Sequence, residues 1–172
     1  MFRKIVVIIL TFLCFLLQSC VFTRLGIGGI IPNLLIVLTS SFGFMRGEKE
    51  GLLIGFLSGM LCDIFFGEVL GFYALLLMYI GFINGKFSRI FYPEDIKLPL
   101  ALICISDLTY GIMCYIFMFL LRGRLNFLWY LLHLIFPEML YTLIVTLVLY
   151  PVILLVNKGL EAIEKRSAQK FV

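Results

Sequence analysis

The chain has 172 residues, of which 63% are apolar and only 14% charged, and its mean hydropathy is +1.14. Soluble globular domains of this length do not normally reach such values, so the composition predicts a polytopic membrane protein. The five cysteines show no C-x-x-C or Cys/His spacing, which argues against a disulfide or metal framework.

Six apolar runs are expected to form membrane-spanning helices. They cover about residues 5–22, 30–44, 51–66, 70–83, 98–121 and 127–156. A charged loop at 45–50, a short turn at 67–69 and polar breaks at 84–97 and 122–126 separate the later runs. The predicted fold is all-α: a single six-span membrane domain at 1–156 forming a compact bundle, followed by a cytoplasmic tail at 157–172. The tail is expected to be a short surface helix or disordered, since Glu161 and Lys165 have helical i,i+4 spacing.

The first run also has features of a secretory signal. Leu17-Gln18-Ser19-Cys20 is close to a lipoprotein cleavage box, but glutamine stands where a small residue is preferred. A charged start, an apolar core and a small-residue exit are equally common in ordinary first spans. The run is therefore interpreted as a span.

The third run carries the most regular pattern in the chain. Gly51, Gly55, Gly59 and Asp63 follow one another in steps of four, and Gly67 and Gly71 continue the spacing. Residues four apart share one face of a helix. Each interior glycine costs about 1 kcal/mol in a water-exposed helix, whereas in a membrane a bare stripe lets another helix approach closely. The pattern predicts a buried helix with a helix-packing stripe that ends in a carboxylate.

Prolines are expected to mark helix entries and bends. Pro32-Asn33 is the entry to the second span, because proline is tolerated in a first helical turn. The last run contains Pro137 and Pro151 and is too long for one untilted span, so tilt or kinks are expected there.

The distribution of basic residues predicts the orientation. With six spans, three basic residues fall on one side: Arg24, Arg122 and Arg124. The other eleven of the fourteen fall on the opposite side: Arg3, Lys4, Arg46, Lys49, Lys86, Arg89, Lys97, Lys158, Lys165, Arg166 and Lys170. Under the positive-inside rule both termini are cytoplasmic. The external surface then consists of three short loops.

Four ionisable residues inside the spans are candidate functional groups, since such residues are costly in a membrane. Asp63 is expected to accept hydrogen bonds from backbone donors of the tight hairpin, with contact to a partner or ligand as the alternative. Asp107 is expected to make an internal hydrogen bond or ion pair. Glu138 shares a helix face with Thr142 and Thr146, a stripe expected to pack against another helix rather than line a cavity. His133 lies five residues before Glu138, so the two are not a matched pair.

The sequence does not favour catalysis or a bound cofactor. The two aspartates lack the Tyr-Asp and Gly-x-Gly-Asp contexts of an intramembrane aspartyl protease, and G-x-S-x-G and H-E-x-x-H are absent. Neither a metal site nor a catalytic residue is predicted.

An ordered set of motifs between Pro32 and about Gly85 resembles the MreD family of rod shape-determining proteins. The motifs are Pro32-Asn33, Arg46-Gly47-x-x-Glu50-Gly51, Gly51-x3-Gly55-x3-Gly59-x3-Asp63 and Phe66-Gly67-x3-Gly71-x3-Leu75-x3-Tyr79-x-Gly81-x3-Gly85. The later half of the chain agrees with the family mainly in length and span layout.

The resemblance implies a non-catalytic scaffold in the inner membrane of a bacterium, within the elongation machinery for peptidoglycan synthesis. It implies membrane lipid and MreC as neighbours, with MreB, RodA and a penicillin-binding transpeptidase as further partners of the assembly, and no nucleic acid. It also implies a fold similar to the S-component of energy-coupling-factor vitamin transporters.

The alternative is a small-molecule binding S-component of such a transporter. Asn33, Asp63, Trp129, Tyr130 and His133 could converge near the external surface to bind a ligand. Against this, the external loops are short, and the aromatic pair is explained by the interfacial aromatic belt.

Overall fold

The computed structural model describes residues 2–26, 29–67, 69–90, 96–120 and 127–169. Within these ranges the chain forms six helical segments and no β-strand, so the all-α prediction is confirmed. The bounds are as follows: α1, Phe2–Leu16 with its extensions Leu17–Phe22 and Thr23–Leu25; α2, Leu34–Arg46; α3, Glu48–Phe66; α4, Phe72–Lys86, followed by the 3-10 turn Phe87–Ile90; α5, Lys97–Tyr115 with Ile116–Leu120; and α6, Phe127–Tyr130, Leu131–Ile135 and Phe136–Gln169.

Three of these helices are long and apolar enough to cross a membrane. They are Arg3–Leu25 of α1, Lys97–Met118 of α5 and Phe127–Glu164 of α6. Apolar side chains point outward from them; on α1, Ile5, Ile9 and Leu13 are each at least half exposed and lie four residues apart. Such a continuous apolar face is typical of helices that contact lipid.

Helix α2 lies at the centre of the bundle. Every residue from Leu34 to Met45 is buried, including the polar Thr39, Ser40 and Ser41. The other helices pack around it, with α3 and α4 on one side and α1, α5 and α6 completing the enclosure. Because α2 is enclosed on all faces, it needs no polar stripe.

The connections between α2, α3 and α4 differ from the predicted loops. Residues 45–50 do not form a charged loop, because α2 continues through Arg46 and α3 begins at Glu48, leaving Gly47 as the single non-helical residue. Gly47 has φ +97°, a left-handed value that glycine adopts without a steric penalty. Helix α4 begins at Phe72 and extends to Lys86, so Asn84 belongs to a helix and not to the predicted polar break.

The last helix is longer and more continuous than the sequence suggests. It runs without interruption through Pro151 and past residue 156 to Gln169, so the predicted tail begins as an extension of α6. A π-helical turn, Leu131–Ile135, lies directly before the segment that contains Pro137. A local π turn is one way in which a helix accommodates a missing backbone donor.

Four helix ends meet in a cluster of charged and amide side chains. Arg3 of α1 forms ion pairs with Glu50 of α3 and, at 2.7 Å, with Glu164 of α6. Arg46, whose side chain is only 8% exposed, pairs with the same Glu164 at 3.1 Å and donates a hydrogen bond to the side chain of Asn157. The cluster ties the first, second, third and last helices together at one end of the bundle.

Replacing Arg46 with glutamine should therefore destabilise the protein by about 2 kcal/mol, because charge-assisted hydrogen bonds to Asn157 and Glu164 are lost. Thermal unfolding of the purified protein in detergent measures the change. Lys49→Gln is the matched control, since Lys49 is exposed and forms no ion pair with the described residues. Equal melting temperatures for the two variants would contradict the structural role of the cluster.

Candidate functional site

The glycine stripe of α3 lies directly against the backbone of α4. A Cβ atom added at Gly55 would overlap the carbonyl oxygen of Leu77, and one added at Gly59 would overlap backbone atoms of Tyr73 and Ala74. At Gly51 the overlap would be with the carbonyl oxygen of Gly81. Because the obstructing atoms are backbone, no change of rotamer could make room. The stripe therefore packs α3 against a helix of the same chain.

Helix α4 contributes its own glycines to this contact. Added Cβ atoms at Gly81 and Gly85 would overlap the backbones of Gly51 and Glu48, respectively. Helix α2 contacts α4 at the same glycine, since a Cβ at Gly43 would lie 2.7 Å from the carbonyl oxygen of Gly81. Three helices thus approach one another through Gly43, Gly51 and Gly81. Gly81 and Gly85 are part of the family motif, but their spacing also indicates a second packing stripe.

Gly67 and Gly71 do not extend the packing stripe, although they keep its spacing. Both lie outside α3 and α4, in the turn between them. A Cβ at Gly67 would lie 2.6 Å from the carbonyl oxygen of Asp63, within the preceding helix end. Gly71 has φ +97° and open space around its Cα. These two glycines are required by the turn geometry and not by contact between helices.

Asp63 binds the start of α4. One carboxylate oxygen accepts a hydrogen bond from the backbone N–H of Tyr73 and the other from that of Ala74, both at 2.9 Å. The residue is only 2% exposed. The first N–H groups of a helix have no partner within the helix, and they carry partial positive charge. A carboxylate from α3 therefore caps α4 and satisfies its own buried charge in the same contact.

The start of α2 is capped by the adjacent Asn33 and by two residues distant in sequence, Thr142 and Gln18. The side chain of Asn33 accepts a hydrogen bond from the N–H of Ile36, and the N–H of Asn33 donates to Thr142 of α6 at 3.1 Å. The N–H of Leu35 donates to the side chain of Gln18 of α1. Asn33 is the N-cap and Pro32 precedes it, so Pro32 lies before the helix and not in its first turn.

Asn84 is a buried residue that connects three helices, although its place in the sequence predicts a loop. Its side-chain amide donates to the hydroxyl of Ser106 on α5 at 2.7 Å, to Ser40 on α2 at 3.4 Å and to the carbonyl oxygen of Ile80. Thr39 and Ser58 add a contact of 3.5 Å between α2 and α3. The signal that could have found Asn84 is its place between Gly81 and Gly85, on the same side of α4 as the packing glycines.

Asp107 and Glu138 lie in one region, between α5 and α6. Asp107 is 4% exposed, and its carboxyl group interacts with the hydroxyl of Thr142. Glu138, one helical turn before Thr142, is partly buried. Thr142 and Thr146 are fully buried, and the hydroxyl of Thr146 donates to the carbonyl oxygen of Thr142. The face that carries Glu138, Thr142 and Thr146 thus packs inside the bundle.

His133 belongs to a separate, exposed site. Its ring stacks on that of Trp129, with ring centroids 4.9 Å apart, and Nδ1 lies 3.1 Å from the carbonyl oxygen of the same residue. The five residues of the hypothetical ligand site are engaged in different places: Asn33 and Asp63 cap two helices, Trp129 stacks with His133, and Tyr130 packs against Tyr115.

The described residues do not assemble a metal centre. Among them, no three His, Cys, Asp or Glu side chains are grouped so that they could hold an ion, and all five cysteines are free thiols. The polar groups traced above act mainly on helix ends and neighbouring hydroxyls. This arrangement is suited to holding helices in register.

The family comparison covers nearly the whole bundle. The family described as rod shape-determining protein MreD matches residues 2–158. The chain belongs to the MreD family. This match extends the resemblance between Pro32 and Gly85 to α1, α5 and most of α6. No curated protein and no solved structure matches the chain.

Membership of the MreD family gives the site its biological setting. MreD proteins determine rod cell shape, and the family is not known for enzymatic activity. Together with the three long apolar helices, the family indicates a protein of the inner membrane. The buried polar groups of this MreD family member are therefore interpreted by the helices that they hold together.

Leucine at Gly55 or Gly59 should force α3 and α4 apart and destabilise the protein by more than the roughly 1–3 kcal/mol of an overpacked core. The measurement is the melting temperature of the purified variants in detergent. Gly159→Leu on α6 is the control, because a Cβ there meets nothing within 4 Å. Equal melting temperatures for Gly55→Leu and Gly159→Leu would contradict the close backbone contact between α3 and α4.

Asp63→Ala should leave the N–H groups of Tyr73 and Ala74 without a partner and cost about 2 kcal/mol. Asp63→Asn should cost less, since the amide oxygen can still accept one of the two bonds. Hydrogen exchange of the first-turn amides of α4 reports the effect locally. Ile64→Ala, at a neighbouring side chain that is 60% exposed, serves as control. Unchanged protection of Tyr73 and Ala74 in Asp63→Ala would rule out the capping role.

Proposed function

We propose that this MreD family member is a non-catalytic integral membrane scaffold of the bacterial elongation machinery, linking MreC and MreB to peptidoglycan synthesis. The family match over residues 2–158 is the observation that carries the proposal. Within the described part, both oxygens of the Asp63 carboxylate bind the start of α4, and the amide nitrogen of Asn84 donates to Ser106, so these buried groups hold helices together. A scaffold needs such a rigid arrangement and no reactive group.

The proposed topology has six spans and both termini in the cytoplasm. The excess of basic residues on one side supports this orientation. The charged cluster supports this topology, because it joins Arg3, Arg46 and Glu164. The six-span topology assigns the segments of all three residues to the cytoplasmic side. Helices α2 and α4 are short for spans, but both are covered by neighbours on their inner faces.

Partners must bind elsewhere than on the glycine stripe. The three helical glycines of the stripe are covered by α4. The surfaces left for MreC and the other proposed partners are the exposed apolar faces of the outer helices, such as the Ile5, Ile9 and Leu13 face of α1. Disrupting the stripe should consequently weaken assembly only through loss of the fold.

The likeness to a transporter S-component belongs to this proposal as an aspect of fold only. A role in vitamin binding is not proposed, because Asn33 and Asp63 are used as helix caps and His133 lies with Trp129 on an exposed face. The proposed scaffold acts through its helix faces and loop tips.

Depletion of this protein from its rod-shaped host should produce round or swollen cells within a few generations, and co-purification from crosslinked membranes should recover MreC. Complementation with the wild type and with Gly159→Leu should restore rods, whereas Gly55→Leu should fail because the fold is lost. Cell width and the immunodetected level of each variant are measured together. Rod-shaped cells after complete depletion, or an ATPase module recovered in place of MreC, would contradict the scaffold.

A further inference from the structure

A long apolar groove runs along the surface between α4 and α5. One part, with a volume of about 450 Å³, is lined mainly by apolar side chains, including Phe72, Tyr79, Met113 and Phe117. A second part of about 230 Å³ continues it past Asn84 and Ser106 to Phe87 and Leu102. Ile80, Ile83 and Thr109 line both parts, so the two form one continuous groove.

The two helices that form the groove are antiparallel and contact each other at two places. The rings of Phe72 and Phe117 lie 5.7 Å apart at one end, and the side chain of Asn84 donates to Ser106 within the second part of the groove. The distance from Phe72 to Phe87 along α4 is about 22 Å at 1.5 Å per residue. The groove is therefore long and narrow, and it opens toward the surface that contacts lipid.

Among the described residues, basic side chains flank the end of the groove at Phe87 and Leu102, while Arg122 and Arg124, which follow α5 beyond Phe117, lie outside the described residues. Lys86 and Arg89 stand beside Phe87, and Lys97 begins α5, five residues before Leu102. All three are exposed, and none forms an ion pair with the described residues, whereas Arg3 and Arg46 are both paired. The Nζ atom of Lys86 lies 4.9 Å from the centroid of the Phe82 ring. Glu94 and Asp95 lie in the segment 91–95, outside the described residues.

We propose that the groove is a binding site for one anionic phospholipid, with an acyl chain between α4 and α5 and the phosphate at Lys86, Arg89 and Lys97. An amphiphile of this kind matches an apolar groove with cations at one end that form no ion pair with the described residues. Basic sites between membrane helices bind acidic headgroups in this way. The site requires only that the protein is embedded in a membrane, so it is independent of the scaffold function.

The lining favours an acyl chain over a helix of a partner protein. Close helix packing in membranes uses glycine, alanine and serine, as the contact of α3 with α4 illustrates. The larger part of the groove is instead lined by Phe, Tyr, Leu, Ile, Met and one Thr, and no glycine or alanine is among these residues. A thin, flexible chain can lie between such bulky side chains, whereas a helix about 10 Å wide cannot.

Native mass spectrometry of the delipidated full-length protein, titrated with dioleoyl phosphatidylglycerol or dioleoyl phosphatidylcholine, tests the proposal. The wild type should bind one phosphatidylglycerol more tightly than phosphatidylcholine. Lys86→Gln with Arg89→Gln should lower the phosphatidylglycerol affinity roughly 30-fold, as removal of two surface cations implies. Lys49→Gln with Lys158→Gln, at exposed positions outside the groove, should retain it.

A second pair of variants tests the groove itself. Ile83→Trp should fill the groove and reduce binding of phosphatidylglycerol, while Ile144→Trp, on an exposed face of α6, should not. Equal affinity for the two lipids, or wild-type affinity in the Lys86 and Arg89 double variant, would overturn the headgroup site. Loss of a co-purifying membrane protein from Ile83→Trp, with phosphatidylglycerol binding intact, would overturn the acyl-chain site and identify a helix as the occupant.

Discussion

Between α3 and α4 the two backbones touch at Gly51, Gly55 and Gly59 without side chains between them. This close contact determines where the neighbouring helices and their polar side chains can lie. It brings Asp63 to the first amides of α4, and it places Gly81 close enough to Gly43 for α2 to join the pair. In a membrane, apolar side chains gain little from leaving lipid for another helix, so close backbone packing has to supply much of the association.

A second constraint follows from the hydrocarbon that surrounds a membrane bundle. The first N–H groups of α2 and α4 need acceptors, because an unsatisfied backbone group in hydrocarbon costs several kcal/mol. Asp63 serves α4, and Asn33 and Gln18 serve α2. Asp63 comes from the neighbouring helix α3, Asn33 is the N-cap of α2 itself, and Gln18 comes from α1. Asp63 and Asn33, two of the candidates for a ligand site, therefore bind backbone N–H groups instead.

Much of the α3–α4 pair could be predicted from the sequence, because its determinants are local. The four-residue spacing of Gly51, Gly55 and Gly59 identifies a packing face, and the short turn brings Asp63 close to the next helix start. The central position of α2 could not be predicted, because lipid and protein interior are both apolar and hydropathy does not distinguish them. Asn84 was misplaced for a related reason: a polar residue near the end of an apolar run usually indicates a loop. The contacts of Thr142 and Glu164 join residues more than a hundred positions apart, which no local pattern encodes.

The contact of Glu164 with Arg3 and Arg46 has a consequence for how the chain is made. During synthesis, α3 and α4 can pair as soon as both have left the ribosome, since each needs only the other. Two sets of contacts form only after the last helix has been made. Thr142 then accepts the hydrogen bond from the N–H of Asn33, and Glu164 pairs with Arg3 and Arg46. Until then the newly inserted helices carry a buried amide and a buried guanidinium without these partners. Biogenesis of this bundle is thus completed from its C-terminal end, and a chain arrested before α6 would be a natural substrate for membrane quality control.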